Sequence, residues 1–129
     1  MHPPEKTDSE LLARWRAVNA GVRAAEQAAG RPERSVNLLA VSKLHSAQAV
    51  RTLHEAGQTA FGENYVQEAL DKMAALADLP LQWHLIGPLQ SNKTQQVAAH
   101  FDWVHSVDRL KIAQRLSAQR PPQLPPLQI

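Results

Sequence analysis

The chain has 129 residues, 43% hydrophobic and 20% charged, and its 14 basic and 12 acidic side chains leave a formal charge of +2. That length suits one domain with its own core, and so small a charge, with no block of like sign, argues against a nucleic-acid backbone as partner. The absence of cysteine removes disulfides and thiolate metal sites; no apolar run suits a bilayer and "MHPPEKTDSE" has no apolar signal core, so a cytoplasmic protein without membrane association is expected.

From Thr7 the sequence reads as one long amphipathic helix. A capping-box pattern joins Thr7 to Glu10, then Leu11, Trp15, Val18, Val22, Ala25 and Ala29 fall at helical spacing before Gly30 and Pro32 end the run. "VNLLAVSK", Val36 to Lys43, reads as a strand that is apolar on both faces: Asn37, Leu39 and Val41 alternate with Val36, Leu38 and Ala40. Ser46 is placed to cap a helix with Val50 and Leu53 on its buried side and Gly57 at its end. "TAFGEN" gives the second strand. The helix over "YVQEALDKMAALA" carries Val66, Ala69, Leu70, Met73, Leu76 and Ala77 on one side. "LQWHLIG" with a helix from Ser91, and "WVHSV" with a helix over "DRLKIAQRLSAQ", repeat the unit twice more. After the proline-rich "RPPQLPP", the closing "LQI" reads as the opening of a fifth strand.

Four strand-then-helix units spaced by roughly 20–24 residues place the chain in the α/β class, with a parallel sheet wrapped by helices. A closed barrel of eight such units takes ~200–250 residues. Residues 1–129 are therefore expected to form the N-terminal half of a single (β/α)8 TIM-like barrel, ending at the start of the fifth strand. On that expectation these residues by themselves present an open sheet edge and an uncovered inner face, and self-associate.

In parallel α/β folds the functional groups gather at the C-terminal ends of the strands. Those ends carry Ser42 and Lys43, Glu63 and Asn64, Gly87 through Lys93, and Ser106 with Asp108. Lys43 stands out. At the rim of a strand buried on both faces an ammonium loses hydration, which lowers its pKa and frees an amine able to form a Schiff base with an aldehyde. The alternative is a lysine whose stem is buried and whose head stays in water.

"LLAVSK", "FGENYVQEALDK", "WHLIGPLQSNK" and "VHSVDRLKIAQRL", in this order, resemble the signatures of the pyridoxal phosphate homeostasis protein family, over a stretch from Leu11 to the last residue. The resemblance implies a modified (β/α)8 barrel similar to the N-terminal barrel of alanine racemase, with an extra N-terminal helix. It implies pyridoxal 5'-phosphate held as a Schiff base on Lys43, no catalytic turnover, and a role in intracellular homeostasis of the cofactor with pyridoxal-phosphate-dependent apo-enzymes as partners. It also implies that the groups holding the phosphate lie in later strands, so cofactor retention by residues 1–129 alone is expected to be weak.

Two further residues are candidate cofactor contacts. Asn64, ending the second strand, either hydrogen-bonds the ring or a neighbouring side chain, or serves as a turn residue. His84 shares a face with Ile86, opposite Trp83 and Leu85; it reaches Lys43 or the ring if that face is the barrel interior, and is a satisfied core histidine otherwise. Capping accounts for Ser91 or Asn92 in the polar loop Gln90, Ser91, Asn92, Lys93. No metal site is expected: His54 lacks the second histidine of H-E-x-x-H, and His100 and His105 have no accompanying cluster. Neither G-x-G-x-x-G nor a Walker loop occurs. Trp15, Trp83 and Trp103 read as core rather than as stacking platforms. Two other functions compete. A racemase-like pyridoxal phosphate enzyme needs an acid/base pair on opposite sides of the reacting carbon, and Tyr65 is the single tyrosine. The other is a cofactor-free Schiff-base aldolase-type barrel.

Overall fold

The computed structural model describes the backbone of residues 4–129 and the side chains from Asp8 onward. Its elements follow one another as α1 (Pro4–Ala28), β1 (Ala40–Val41), α2 (Ala47–Glu55), β2 (Ala60–Glu63), α3 (Val66–Ala75), β3 (Gln82–Leu85), α4 (Thr94–His100), β4 (Trp103–Val104) and α5 (Leu110–Gln119), with a 3-10 turn over Ser91–Lys93 leading into α4. The strands form one parallel sheet in the order β1-β2-β3-β4. Sequential parallel strands joined by helices are the architecture expected of one wall of a (β/α) barrel.

The register sorts the sheet into two faces. Ala40 pairs with Phe61 and Phe61 with Trp83; one step on along that face, Glu63 pairs with Leu85 and Leu85 with Val104. These residues lie under the helices, against Val50 and Leu53 of α2, Val66 and Ala69 of α3, Val97 and Ala98 of α4, and Ile112 and Leu116 of α5. Val41, Gly62, His84 and Trp103, also paired in register, occupy the opposite, inner face. Among the described residues no helix is long and apolar enough to cross a membrane.

Several local readings hold. The Ser46 hydroxyl accepts from the Ala49 amide at 3.1 Å and starts α2, and Gly57 at φ 120° ends the turn after it. Gln128 lies parallel to β4, its carbonyl accepting from Val104 N at 2.9 Å and its amide donating to Asp102 O at 3.0 Å. Others are corrected. Helix α1 already begins at Pro4, so Thr7 lies inside it rather than at a cap; the Thr7 side chain is outside the described residues. Its inward stripe is also rotated from the expected one: Val18 is 53% exposed and Ala25 and Ala29 are exposed, while Glu26 is buried. The cause is the following loop, where Glu26 accepts from the amides of Arg34 (3.1 Å) and Val36 (2.8 Å). Burial pushes the Glu26 carboxyl up, but those two amides and the charges of Arg23 and Arg31 together hold it below the usual carboxylate range. Ser91 and Asn92 do not cap α4 with their side chains; the Ser91 carbonyl instead accepts from Thr94 Oγ1 and Arg115 Nη2, both at 3.0 Å.

The strand expected over Val36–Lys43 is paired only at Ala40 and Val41. Side chains, not a neighbouring strand, satisfy the backbone before it: Arg23 donates to the Val36 carbonyl at 2.8 Å, and Gln58 Nε2 donates to the carbonyls of Leu38 (2.7 Å) and Ala60 (2.8 Å). Gln58 is buried and also accepts from Trp15 Nε1 at 2.9 Å, which ties α1 to the start of the sheet. Gln58→Leu keeps the bulk but orphans these groups, so urea denaturation should show a loss of about 1–3 kcal/mol in unfolding free energy.

Candidate functional site

The loops at the C-terminal ends of the strands bring the candidate residues to one mouth. Two residues beyond the registered set of Val41, Gly62 and His84 come Lys43, Asn64 and Ile86, with His105 continuing β4 at that level; the bonds from Ile86 N to Glu63 O and from His105 N to Leu85 O, each 2.9 Å, carry the ladder that far. The β1–β2 register, extended by two residues, puts Lys43 level with Asn64, and the Ser42 amide makes the last bond between those strands, to the Gly62 carbonyl. Lys43 is not level with His84, which belongs to the layer beneath.

Lys43 sits exposed in the turn that leaves β1. The strand is not covered on both faces as its composition suggested: Val41 is 49% exposed, so these residues leave the lysine head in water. What is buried is the backbone support on each side. Ser42 before it is buried, its amide donating to the Gly62 carbonyl at 2.9 Å and its hydroxyl bonded to Glu63. Leu44 after it has a left-handed φ of 63°, which costs a residue with a Cβ ~1–2 kcal/mol; its amide donates to Glu68 at 2.6 Å.

Both supports meet at Lys72 on α3. This lysine is only 6% exposed and donates to the Ser42 carbonyl (2.6 Å), Glu63 (2.9 Å) and Glu68 (2.6 Å). Burial pushes the Glu68 carboxyl up, but the hydrogen bonds from Lys72 and the Leu44 amide outweigh it and hold the group below the usual carboxylate range. Sequence reasoning placed Lys72 on no functional surface, since a mid-helix lysine is ordinarily solvated. The available signal was the spacing of Glu68 and Lys72, four apart on one helix, together with Glu63 ending the strand before them.

Asn64 is half-buried, and its Oδ1 is buried without a hydrogen-bond partner; the same is true of Ser106 Oγ, just past the end of β4. Buried polar atoms left unpaired are uncommon and mark positions where a ligand group can complete the bonding. Gly87 shapes this part of the mouth: a Cβ there would lie 2.3 Å from the Asn64 carbonyl oxygen. Only a glycine lets the loop after β3 lie on the Asn64 backbone.

His84 lies on the inner face and is 8% exposed. Its ring stacks on Trp103, with centroids 5.4 Å apart and planes 4° from parallel, so Trp103 is a platform for an imidazole rather than core beneath the helices. Gln82 Oε1 lies 2.9 Å from Nε2 and His105 Nε2 lies 2.9 Å from Nδ1. A neutral ring fits this arrangement, donating to Gln82 and accepting from His105. Both ring nitrogens thus have protein partners. Burial first, then the neighbouring His105, pulls its pKa down to about 4, with Asp102 opposing.

Residues 15–129 match the model of the alanine racemase N-terminal domain. The chain is 67% identical over 112 residues to a pyridoxal phosphate homeostasis protein of Pseudomonas aeruginosa, covering 87% of this chain and 49% of that one. It is 55% identical over 116 residues to the protein of the same name in Vibrio cholerae, again covering 87% and 49%. The chain thus spans about half the length of the curated relatives it matches. Among solved structures, PipY of Synechococcus elongatus with pyridoxal phosphate bound aligns at 53% identity and a TM-score of 0.66, over 75% of this chain and 46% of that one. An unknown protein from Bifidobacterium adolescentis aligns at 31% identity and a TM-score of 0.77, over 87% of this chain and 50% of that one.

The depressed His84 pKa fixes the sign of a pH effect. An unfolded imidazole titrates near 6.5 and the folded one near 4, so the unfolded chain binds the extra proton between those values. The His84 contribution to stability is present above pH 6.5 and is lost as pH falls towards about 4. Urea midpoints between pH 7 and pH 5 should therefore fall on acidification, and the slope should flatten in His84→Gln.

Proposed function

The chain belongs to the pyridoxal phosphate homeostasis proteins within the alanine racemase N-terminal domain family, and on that footing we propose that it binds pyridoxal 5'-phosphate through Lys43. The observation that carries this reading is the exposed primary amine of Lys43 at the mouth, between Ser42, whose carbonyl the buried Lys72 holds, and Leu44, whose amide the partly exposed Glu68 holds. The cofactor supplies an electrophilic aldehyde, whose condensation with a primary amine releases water.

The residues present suit that group. Asn64 would meet its polar edge, since its Oδ1 is buried and unpartnered. Gly87 keeps the loop clear of side-chain bulk there. His84 supports from beneath, as part of the Trp103 stack, because its nitrogens are engaged by Gln82 and His105.

The role carried by this reading is storage and delivery, with apo-enzymes that use the cofactor as the receiving partners, rather than turnover. Moving a proton at an amino acid's α-carbon takes an acid and a base on opposite sides of that carbon. Tyr65 is the single tyrosine and stands 52% exposed at the start of α3.

Borohydride reduction in the presence of pyridoxal 5'-phosphate, followed by peptide mass mapping, should fix one pyridoxyl group on Lys43. Lys43→Ala should lose both the adduct and the change in visible spectrum that binding produces, while keeping its far-ultraviolet dichroism. Lys43→Arg should behave like the alanine variant, because a guanidinium stays protonated and does not add to the aldehyde. Amino acids incubated with the loaded protein in deuterium oxide should show no enzymatic exchange at the α-carbon; exchange at catalytic rates would assign the protein to the racemase-like class.

A further inference from the structure

Glu63 at the end of β2 and Glu68 and Lys72 on α3 bring two carboxylates and an ammonium to the base of one exposed turn. Lys72 is 6% exposed and Glu63 is fully buried. Taking such charges out of water is costly and is offset only where the geometry and the remaining hydrogen bonds are good. Here the bonds are spent on two main-chain groups. Lys72 Nζ donates to the carbonyl of Ser42, the residue before Lys43, and Glu68 accepts from the amide of Leu44, the residue after it.

Leu44 explains why the second bond is needed. Its φ of 63° is a left-handed conformation, its side chain is 78% exposed, and so burial of the side chain does not hold the backbone there. The Glu68 carboxylate is what fixes its peptide. Lys72 then joins the two supports, because the same ammonium contacts Glu68 at 2.6 Å, Glu63 at 2.9 Å and Ser42 O at 2.6 Å, while the Ser42 hydroxyl returns to Glu63.

We propose that Glu63, Lys72 and Glu68 are positioning residues that clamp the Ser42–Lys43–Leu44 backbone and so aim the Lys43 amine into the mouth. The clamp touches neither the amine nor any ligand; it acts by removing the alternative conformations of the turn, so that less ordering remains to be done on binding. This inference rests on the assignment of Lys43 as the cofactor-carrying residue.

Glu68→Ala is the informative substitution. Glu68 is partly exposed and helical, so alanine suits its backbone, and Lys72 keeps Glu63 and Ser42 as partners. Glu68→Gln retains an acceptor for the Leu44 amide and serves as the conservative variant. Lys43→Ala is the reference. Three measurements on the whole protein are made for each: far-ultraviolet dichroism, amide hydrogen exchange without cofactor, and titration with pyridoxal 5'-phosphate followed in the visible band. Glu68→Ala should keep its dichroism, lose protection at the Leu44 amide, and bind the cofactor about tenfold more weakly or worse, the equivalent of ~1.4 kcal/mol; Glu68→Gln should recover most of both losses. Wild-type affinity in Glu68→Ala, with the Leu44 amide deprotected and the binding-induced spectral change absent in Lys43→Ala, overturns the clamp and leaves the Lys43 assignment standing. An unprotected Leu44 amide in the wild type overturns the clamp as well. A binding-induced spectral change that persists in Lys43→Ala overturns the assignment, and the clamp with it.

Discussion

A single buried ammonium organises the mouth of this sheet. Lys72 reaches from α3 to Ser42 at the end of β1, to Glu63 at the end of β2, and to Glu68 on its own helix. Without it, the two carboxylates it joins would have no shared counter-charge, one of them fully buried, and like charges are unfavourable in a poorly solvated site. With it, the ends of two strands and the first turns of a helix share one charge-assisted network.

The same economy appears at the other end of the strands, where the chain before β1 forms no regular ladder. Arg23, Glu26 and Gln58 there accept or donate the bonds that a strand neighbour would otherwise provide. An apolar run can thus look like a strand, lie beside a sheet, and still be held mainly by side chains. Hydrophobic pattern reports where a segment is buried; it does not report who satisfies its backbone.

This explains which features were legible. The alternation of strands and helices, their parallel order, the Ser46 cap and the two faces of β3 all follow from local periodicity and turn chemistry. Hydrophobic spacing points Val18 and Ala25 inward, whereas Glu26 is the buried residue of that stretch, because the loop after α1 offers it the amides of Arg34 and Val36. Lys72 is hidden for a similar reason: a lysine reads as solvated unless its partners are known, and Ser42 lies thirty residues away. Trp103 read as core because its strand is apolar, yet register turns it to the inner face, onto His84. Lys43 and Asn64 are level in the extended register because adjacent parallel strands carry equivalent ends to the same edge.

Gly87 has a mechanical consequence. With no Cβ between them, the main chain leaving β3 rests directly on the main chain of Asn64, at a separation that an added methyl group would have to share with the Asn64 carbonyl oxygen, carbonyl carbon and Cα. Contact between two backbones has no rotamers with which to absorb a displacement. The end of β2 and the loop after β3 therefore fit each other as main chain on main chain, with no side chain between them to repack.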